Sequence, residues 1–394
     1  METKTIRELC DIVVDCPHST PKWTTSGKIV IRNNNIKKGR IDFSSPSYTD
    51  DEHFNLRVKR AIPRSGDIII TREAPMGEVG MIPERIECCL GQRMVLLRTN
   101  PDICDNYYLL YSLQSKFVQH QISWSEGTGT TVSNLRIPHL EQLKIPYVPL
   151  KKQRLVASVL KSIEEKIILN EQINNNLEQQ AEALFHSLFV GNANPTWKDG
   201  VLSDLGTIVA GGTPSKSKPE YYSEHGIAWI TPKDLSLNKS KFISHGEIDI
   251  SELGFSKSSA TKMPAGTVLF SSRAPIGYIA IAANEVTTNQ GFKSVVPNEN
   301  IGTAFMYYLL KFLLPTIEGM ASGSTFKEIS GAGMKTVPVV IPDNMTIEKF
   351  KSFCTPIFQQ QEVLESENSQ LADIRDALLP KLMSGEIDVS NTDL

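Results

Sequence analysis

Two short stretches place an arginine at the end of an apolar run and follow it with a proline and a glycine: TREAPMG (71–77) after DIII, and SSRAPIG (271–277) after TVLF. A guanidinium held there, that of Arg72 or Arg273, can grip the O6 and N7 of a guanine through two hydrogen bonds. It can equally pin its own turn by bonding carbonyls, and that structural reading gains weight because both copies keep an arginine. Downstream lie loops of glycine and short hydroxyls, GTGTTVSN (127–134) and SGSTFKE (322–328). Their amides and side chains, at Thr130, Thr131, Asn134, Ser324 and Thr325, suit close approach to phosphates, and Lys327 adds charge. Lys22, Arg93, Lys216, Lys218, Lys233 and Lys293, on loops and strands of the same regions, complete a candidate nucleic-acid-binding set.

Enzymatic constellations are missing. The chain has no phosphate-cradling G-x-x-x-x-G-K-[ST], no G-x-G-x-x-G after a strand, no H-E-x-x-H, and no N-P-P-aromatic or D-P-P-aromatic loop of the kind that grips a target adenine. Its seven histidines stand singly, and His120, His139 and His186 read as surface or helix-packing residues. Six cysteines (Cys10, Cys16, Cys88, Cys89, Cys104, Cys354) form no C-x-x-C pair and read as reduced thiols. No catalytic residue, metal ligand or resident cofactor is therefore expected.

The elements that must position these loops are written twice. LGQRMVLL (90–97) answers TNQGFKSVV (288–296), NYYLLYSL (106–113) answers MYYLLKFL (306–313), and GTTVSNL (129–135) answers GSTFKEI (323–329). KIPYVPL (144–150) answers TVPVVIP (336–342), and LEQQAEALFHSLFVG (177–191) matches LADIRDALLPKLMSG (371–385) without a gap. A repeat this long is a duplicated domain, not a solenoid unit. Each copy gives β-branched strands, a helix (DNYYLLYSLQSKFVQHQI; TAFMYYLLKFLLPTI), a loop, a short strand and a long helix. Strands and helices without βαβ alternation predict an α+β class. The loops before the arginines diverge, HSTPKWTTSGKIVIRNNN (18–35) against GGTPSKSKPEYYSEHGIAWITPKD (211–234), as two readers of two sequences would require. The expected division is 1–150 and 195–343 as two similar globular domains, with long helices at 151–190 and 344–387.

The long helices carry a heptad seam. Val156, Leu160, Ile163, Ile167, Asn170, Asn174, Leu177, Ala181, Leu184 and Leu188 follow steps of three and four, and adding 194 gives Phe350, Cys354, Ile357, Gln361, Leu364, Asn368, Leu371, Arg375, Leu378 and Leu382. Core packing alone would not choose Gln361, Asn368 and Arg375. Head-to-tail copies related by a pseudo-twofold require the helices to pair antiparallel as a two-helix coiled coil between the domains, with Asn170 opposite Asn368 as a register-fixing polar pair. Thr355-Pro356 predicts a helix start there, IEKFKSF being a separate short helix, and Pro380 a kink in the last turn. Glu164, Glu165, Glu171 and Glu178 on one helix, with Glu362, Glu365, Glu367 and Asp373 on the other, are expected on exposed faces, either solvated or turned to a partner.

At 394 residues the chain can hold two to three domains. Its net charge of −3 excludes a generic basic coat protein. The balance is uneven: 19 basic against 17 acidic residues over 1–150 and 13 against 12 over 195–342, but 4 against 10 over 343–394. Mildly basic globules suit contact with nucleic acid. No apolar run has the length of a membrane span and the first residues lack a signal peptide's pattern, so a soluble, cytoplasmic protein is expected.

The strings S/R-A-P-x-G after a strand, N-Q-G, G-S-T-F-K-x-I, the prolines before each long helix and L-L-P-K-L-M-S-G-E-I (378–387) together resemble the specificity (S) subunit of type I restriction-modification systems. The first copy departs from that wording in R-E-A-P-M-G, G-Q-R and G-T-T-V. The resemblance implies a non-catalytic subunit whose two target recognition domains each read half of a bipartite double-stranded DNA site, across a gap set by the helices. It implies two methyltransferase (M) subunits docked on those helices, carrying S-adenosylmethionine, and restriction (R) subunits using ATP and Mg. A scaffold with two ligand-binding globules that does not bind DNA is the alternative reading.

Overall fold

The computed structural model describes residues 2–37, 39–124, 134–323 and 327–388. They form two compact units, one built from the chain up to Ile167 with the segment from Gln370, the other from Ile168–Ser369. The division falls inside both long helices.

In the first unit the run Ile68, Ile69 and Ile70 is wholly buried, because its strand is covered on both faces. Ile68 and Ile70 pack with Leu109, Leu113 and Val118, whereas Ile69 packs with Ile31, Ile36 and Leu96. This strand, Ile68–Thr71, lies third in an antiparallel sheet ordered Cys10–Asp15, Met94–Thr99, Ile68–Thr71, Val79–Met81. The second unit repeats that order with Gly206–Ala210, Lys293–Pro297, Val268–Ser272 and Ile276–Ala282, and adds Phe242–Ile243 parallel to the last. There Val268 and Phe270 join one core and Leu269 another. The class is α+β, and the sequence repeat is a repeat of topology.

The helix expected over 105–122 is two helices, Asn106–Gln114 and Lys116–Trp124. Ser115 is extended between them; its hydroxyl donates to the Ser112 carbonyl and accepts from the Val118 amide, capping both. The counterpart Thr303–Met320 is continuous, with Pro315 inside it.

The long helices are Leu150–His186 and Asn344–Ser384. The second does not start at Thr355. The Thr355 hydroxyl donates back to the Lys351 carbonyl at 2.8 Å instead of capping. Ile347, Phe350, Cys354, Ile357 and Phe358 share one core cluster, which holds the helix across a proline that supplies no amide. It also continues through Pro380, beyond which Leu382 and Met383 are buried with Tyr108 and Tyr111 in the first unit.

In each unit the two helices run antiparallel. Within the second, the Asn170 amide donates to Asn368 at 2.9 Å and to Glu367 at 2.7 Å, while Gln361 donates to the Asn174 carbonyl at 3.3 Å. Within the first, Arg375 meets Glu164 at 3.0 Å and Lys152 meets Asp388 at 3.2 Å. Of the other seam residues, Ile167 and Leu364 are buried, and Ile163, Leu177 and Leu371 half-buried. Oxidation of an Asn170→Cys, Asn368→Cys double variant is expected to give an intramolecular disulfide, scored by mass and non-reducing mobility; a pair left reduced would contradict this register.

Several helix carboxylates expected on exposed faces turn inward. Glu164 bonds Arg40 and Arg375, Glu178 bonds Lys241 and Lys311, and Glu365 accepts the amides of Lys241 and Phe242. The reason is local: each lies where a cation or an unpaired amide of its own unit reaches the helices. Asp373 is exposed. All six cysteines are unpaired and buried, and burial pushes the Cys10 and Cys88 thiols up to about 12. Among the described residues no helix is long and apolar enough to cross a membrane.

Candidate nucleic-acid interface

The turn after the central strand is built identically in both units. Ala74-Pro75 and Ala274-Pro275 are cis, and Gly77 and Gly277 adopt φ of 85° and 95°, a region that glycine enters freely. A hydroxyl staples each turn. Thr71 donates to the Pro75 carbonyl (2.6 Å) and accepts from the Glu78 amide (3.0 Å); Ser271 donates to Pro275 (2.8 Å) and accepts from Tyr278 (2.7 Å). Two backbone bonds tie the next residue alike: Arg72 donates to Arg93 and accepts from Leu135, as Ser272 donates to Gly291 and accepts from Ile329.

Arg72 and Arg273, alike by motif, therefore do not occupy matching positions. Arg72 answers to Ser272, and Arg273 answers to Glu73. The Arg72 guanidinium, 11 % exposed, donates to the Leu135 carbonyl (3.0 Å), Asp15 (2.9 Å) and Asn134 (3.2 Å). Its fork is filled by the loop it holds. Glu73 beside it accepts from Asn134 at 2.8 Å and pairs with Arg93 at 3.1 Å, Arg93 being 54 % exposed. In the second unit Arg273, 39 % exposed, pairs with Glu328 at a long 3.6 Å, and Glu328 also meets Lys293 at 3.7 Å. One backbone frame thus carries an acid at its tip in the first unit and a base in the second.

The frame brings Arg72, Arg93 and Asn134 together in the first unit, and Arg273 with Lys293 in the second. It does not gather the remaining candidates. Lys22 pairs with Asp50 at 3.2 Å, Lys218 with Glu220 at 3.7 Å and Lys233 with Glu247. Lys216 and Lys327 are exposed and enter no ion pair among the described residues. Thr130, Thr131, Ser324 and Thr325 lie outside the described residues. Sequence reasoning missed Thr71 and Ser271, although a hydroxyl recurring 200 residues apart was a visible signal. It also missed Glu73, which the A-P-x-G alignment sets opposite Arg273, and Asp15 and Glu328, for which it offered no signal. No group of three or more potential metal ligands is found among the described residues.

A family model described as "Type I restriction modification DNA specificity domain" matches residues 1–179 and again 194–365. The chain is 35 % identical to the type I restriction enzyme MjaIX specificity subunit of Methanocaldococcus jannaschii over 191 residues, 48 % of this chain and 43 % of that protein. It is 22 % identical to the HindI specificity subunit of Haemophilus influenzae, over 84 % of this chain and 88 % of that one. The crystal structure of a type I restriction-modification S subunit from M. genitalium has the same fold, with a TM-score of 0.60 at 20 % identity over 97 % of this chain and 95 % of that one. Matched in both of its copies, the chain belongs to the family of type I restriction modification DNA specificity domains.

Proposed function

We propose that the chain is the non-catalytic DNA-reading subunit of a type I restriction-modification complex, each repeat reading one half of a bipartite site. The observation that carries this is the twice-built frame with exchanged tips, since a shared scaffold bearing different side chains is what two half-sites of different sequence need. At the same position the second domain offers a donor, Arg273, suited to guanine O6 and N7. The first offers an acceptor, Glu73, suited to the amino group of cytosine or adenine. Lys216 and Lys327, exposed and free of ion pairs among the described residues, suit phosphates. Their contacts make affinity fall with salt without choosing sequence.

The paired helices act as a coiled-coil spacer that fixes the distance between half-sites. They also dock two methyltransferase subunits. Leu169, Ile173 and Val363, apolar yet exposed on helix faces of the second unit, support that docking. S-adenosylmethionine, ATP and Mg belong to the partner methyltransferase and restriction subunits, and the complex works in the cytoplasm. Single-molecule sequencing of N6-methyladenine in cells with and without the gene tests the reading. A split motif with one fixed gap should be methylated only when the gene is present; an unchanged methylation pattern would refute it.

A further inference from the structure

In both units a cation from the globule's edge reaches the helix pair at a matching place. In the second, Lys241 leads into the edge strand Phe242–Ile243, and its carbonyl accepts the Ile281 amide at 2.7 Å. Its side chain is only 7 % exposed. The ammonium bonds Glu178 of the first long helix, Gln361 of the second at 2.7 Å and the Tyr308 hydroxyl at 3.3 Å, with the Phe358 ring 4.1 Å away. Glu365 of the second helix takes the amides of Lys241 and Phe242 at 2.9 and 3.0 Å. In the first unit Gly39 bridges the edge strand at Gly80, and the adjoining Arg40 bonds Glu164 of the first helix, which also holds Arg375 of the second at 3.0 Å.

Each clamp therefore joins three parts of its own unit: the globule's edge, the first helix and the second helix. Glu164 and Glu178 are two heptads apart, as are Gln361 and Arg375. Gln361 and Arg375 are two of the three seam residues whose polarity core packing could not explain. An apolar contact in their place would be as stable or more so but would admit neighbouring orientations, whereas a buried charge has few acceptable geometries.

We propose that Lys241–Glu178–Gln361 and Arg40–Glu164–Arg375 are positioning residues that fix each recognition domain's orientation on the helices, and that they thereby restrict the complex to one gap length. This rests on the bipartite reading proposed above. The test uses the full chain reconstituted with its methyltransferase and S-adenosylmethionine, on DNA carrying both half-sites at gaps from two base pairs shorter to two longer than the genomic motif. Lys241→Met with Glu178→Gln removes the charges and keeps the volume; Arg40→Met with Glu164→Gln is the counterpart in the first unit. Methylation at the adjacent gap lengths should rise relative to the genomic gap by about tenfold, the change that corresponds to about 1.4 kcal/mol of lost discrimination, with the half-site sequences unchanged. A folded variant that keeps the wild-type ratio of gap lengths overturns the proposal even if its melting temperature has dropped. Should either pair fail to fold, Glu178→Asp or Glu164→Asp, which shorten the clamp and keep the charge, are scored identically. Wild-type complex that methylates no split site would instead defeat the function, so the two failures are distinct.

Discussion

Lys241→Ala is expected to cost about 3–5 kcal/mol in the stability of the second unit, the range for breaking a buried ion pair from one side. The truncation takes away more than a charge. Glu178 keeps Lys311 at 3.0 Å and the Tyr308 hydroxyl at 2.9 Å, but Gln361 loses the ammonium its carbonyl oxygen accepts from, inside a cluster that excludes water. Urea unfolding followed on this unit's tryptophans measures the loss, and a change under 1 kcal/mol would refute the account. Lys241→Met with Glu178→Gln should cost less, because methionine refills the space, the glutamine oxygen can still accept from the Tyr308 hydroxyl, and Lys311 keeps Glu182 at 3.1 Å.

The same cluster predicts an acid limb. Burial acts to raise the Glu178 carboxyl, but Lys241 and Lys311 outweigh it and hold it at about 2. Its folded value thus lies below an unfolded value of about 4.3. The stabilisation is complete above that value and is lost as pH falls from about 4.3 towards 2. Glu178→Gln should flatten the stability profile in that window and leave its slope near neutral pH unchanged. An identical acid slope in the variant would assign the limb to other carboxylates.

What could be read in advance depended on whether a feature is local or repeated. Ile68–Ile70 announced a strand because three β-branched residues in a row suit a pleated sheet, and the structure added that it is covered on both faces. The seam announced the pairing of Asn170 with Asn368 because heptad spacing and duplication together leave few registers. Gln361 and Arg375 were legible as anomalies, yet the cations that meet them or their acceptor were not. Lys241, which donates to Gln361, and Arg40, which shares Glu164 with Arg375, come from loop and edge positions with no periodicity, more than a hundred residues away from Gln361 and Glu164. Thr355-Pro356 carried a good local signal for a helix start, and the core around Phe350 and Phe358 overrode it. The arginines of the two turns deceived for a related reason. Aligning on A-P-x-G sets Thr71 with Ser271, Arg72 with Ser272 and Glu73 with Arg273, so the offset was open to view, and matching the two arginines by residue type is what hid it.

That offset separates two arginines a motif would treat as one, and substitution should separate them further. Arg72→Ala is expected to remove about 3 kcal/mol from the first unit. Asp15 would lose its guanidinium while its other oxygen is already buried without a partner among the described residues, and the segment at Asn134 and Leu135 would lose its tether. Methylation should then fall for every target sequence in proportion, with both half-sites intact. Arg72→Lys should not rescue it, since one ammonium cannot span three acceptors that a planar fork reaches together. Arg273→Ala should do the reverse. Its one ion pair among the described residues is long and more than a third exposed, so stability should stay within about 0.5 kcal/mol, while one base pair of the second half-site loses about 1–3 kcal/mol of discrimination. Equal relaxation of a half-site by both variants would mean that Arg72 also reads a base. It would then have to leave Asp15 to do so, and the bond at 2.9 Å would belong to the free protein alone.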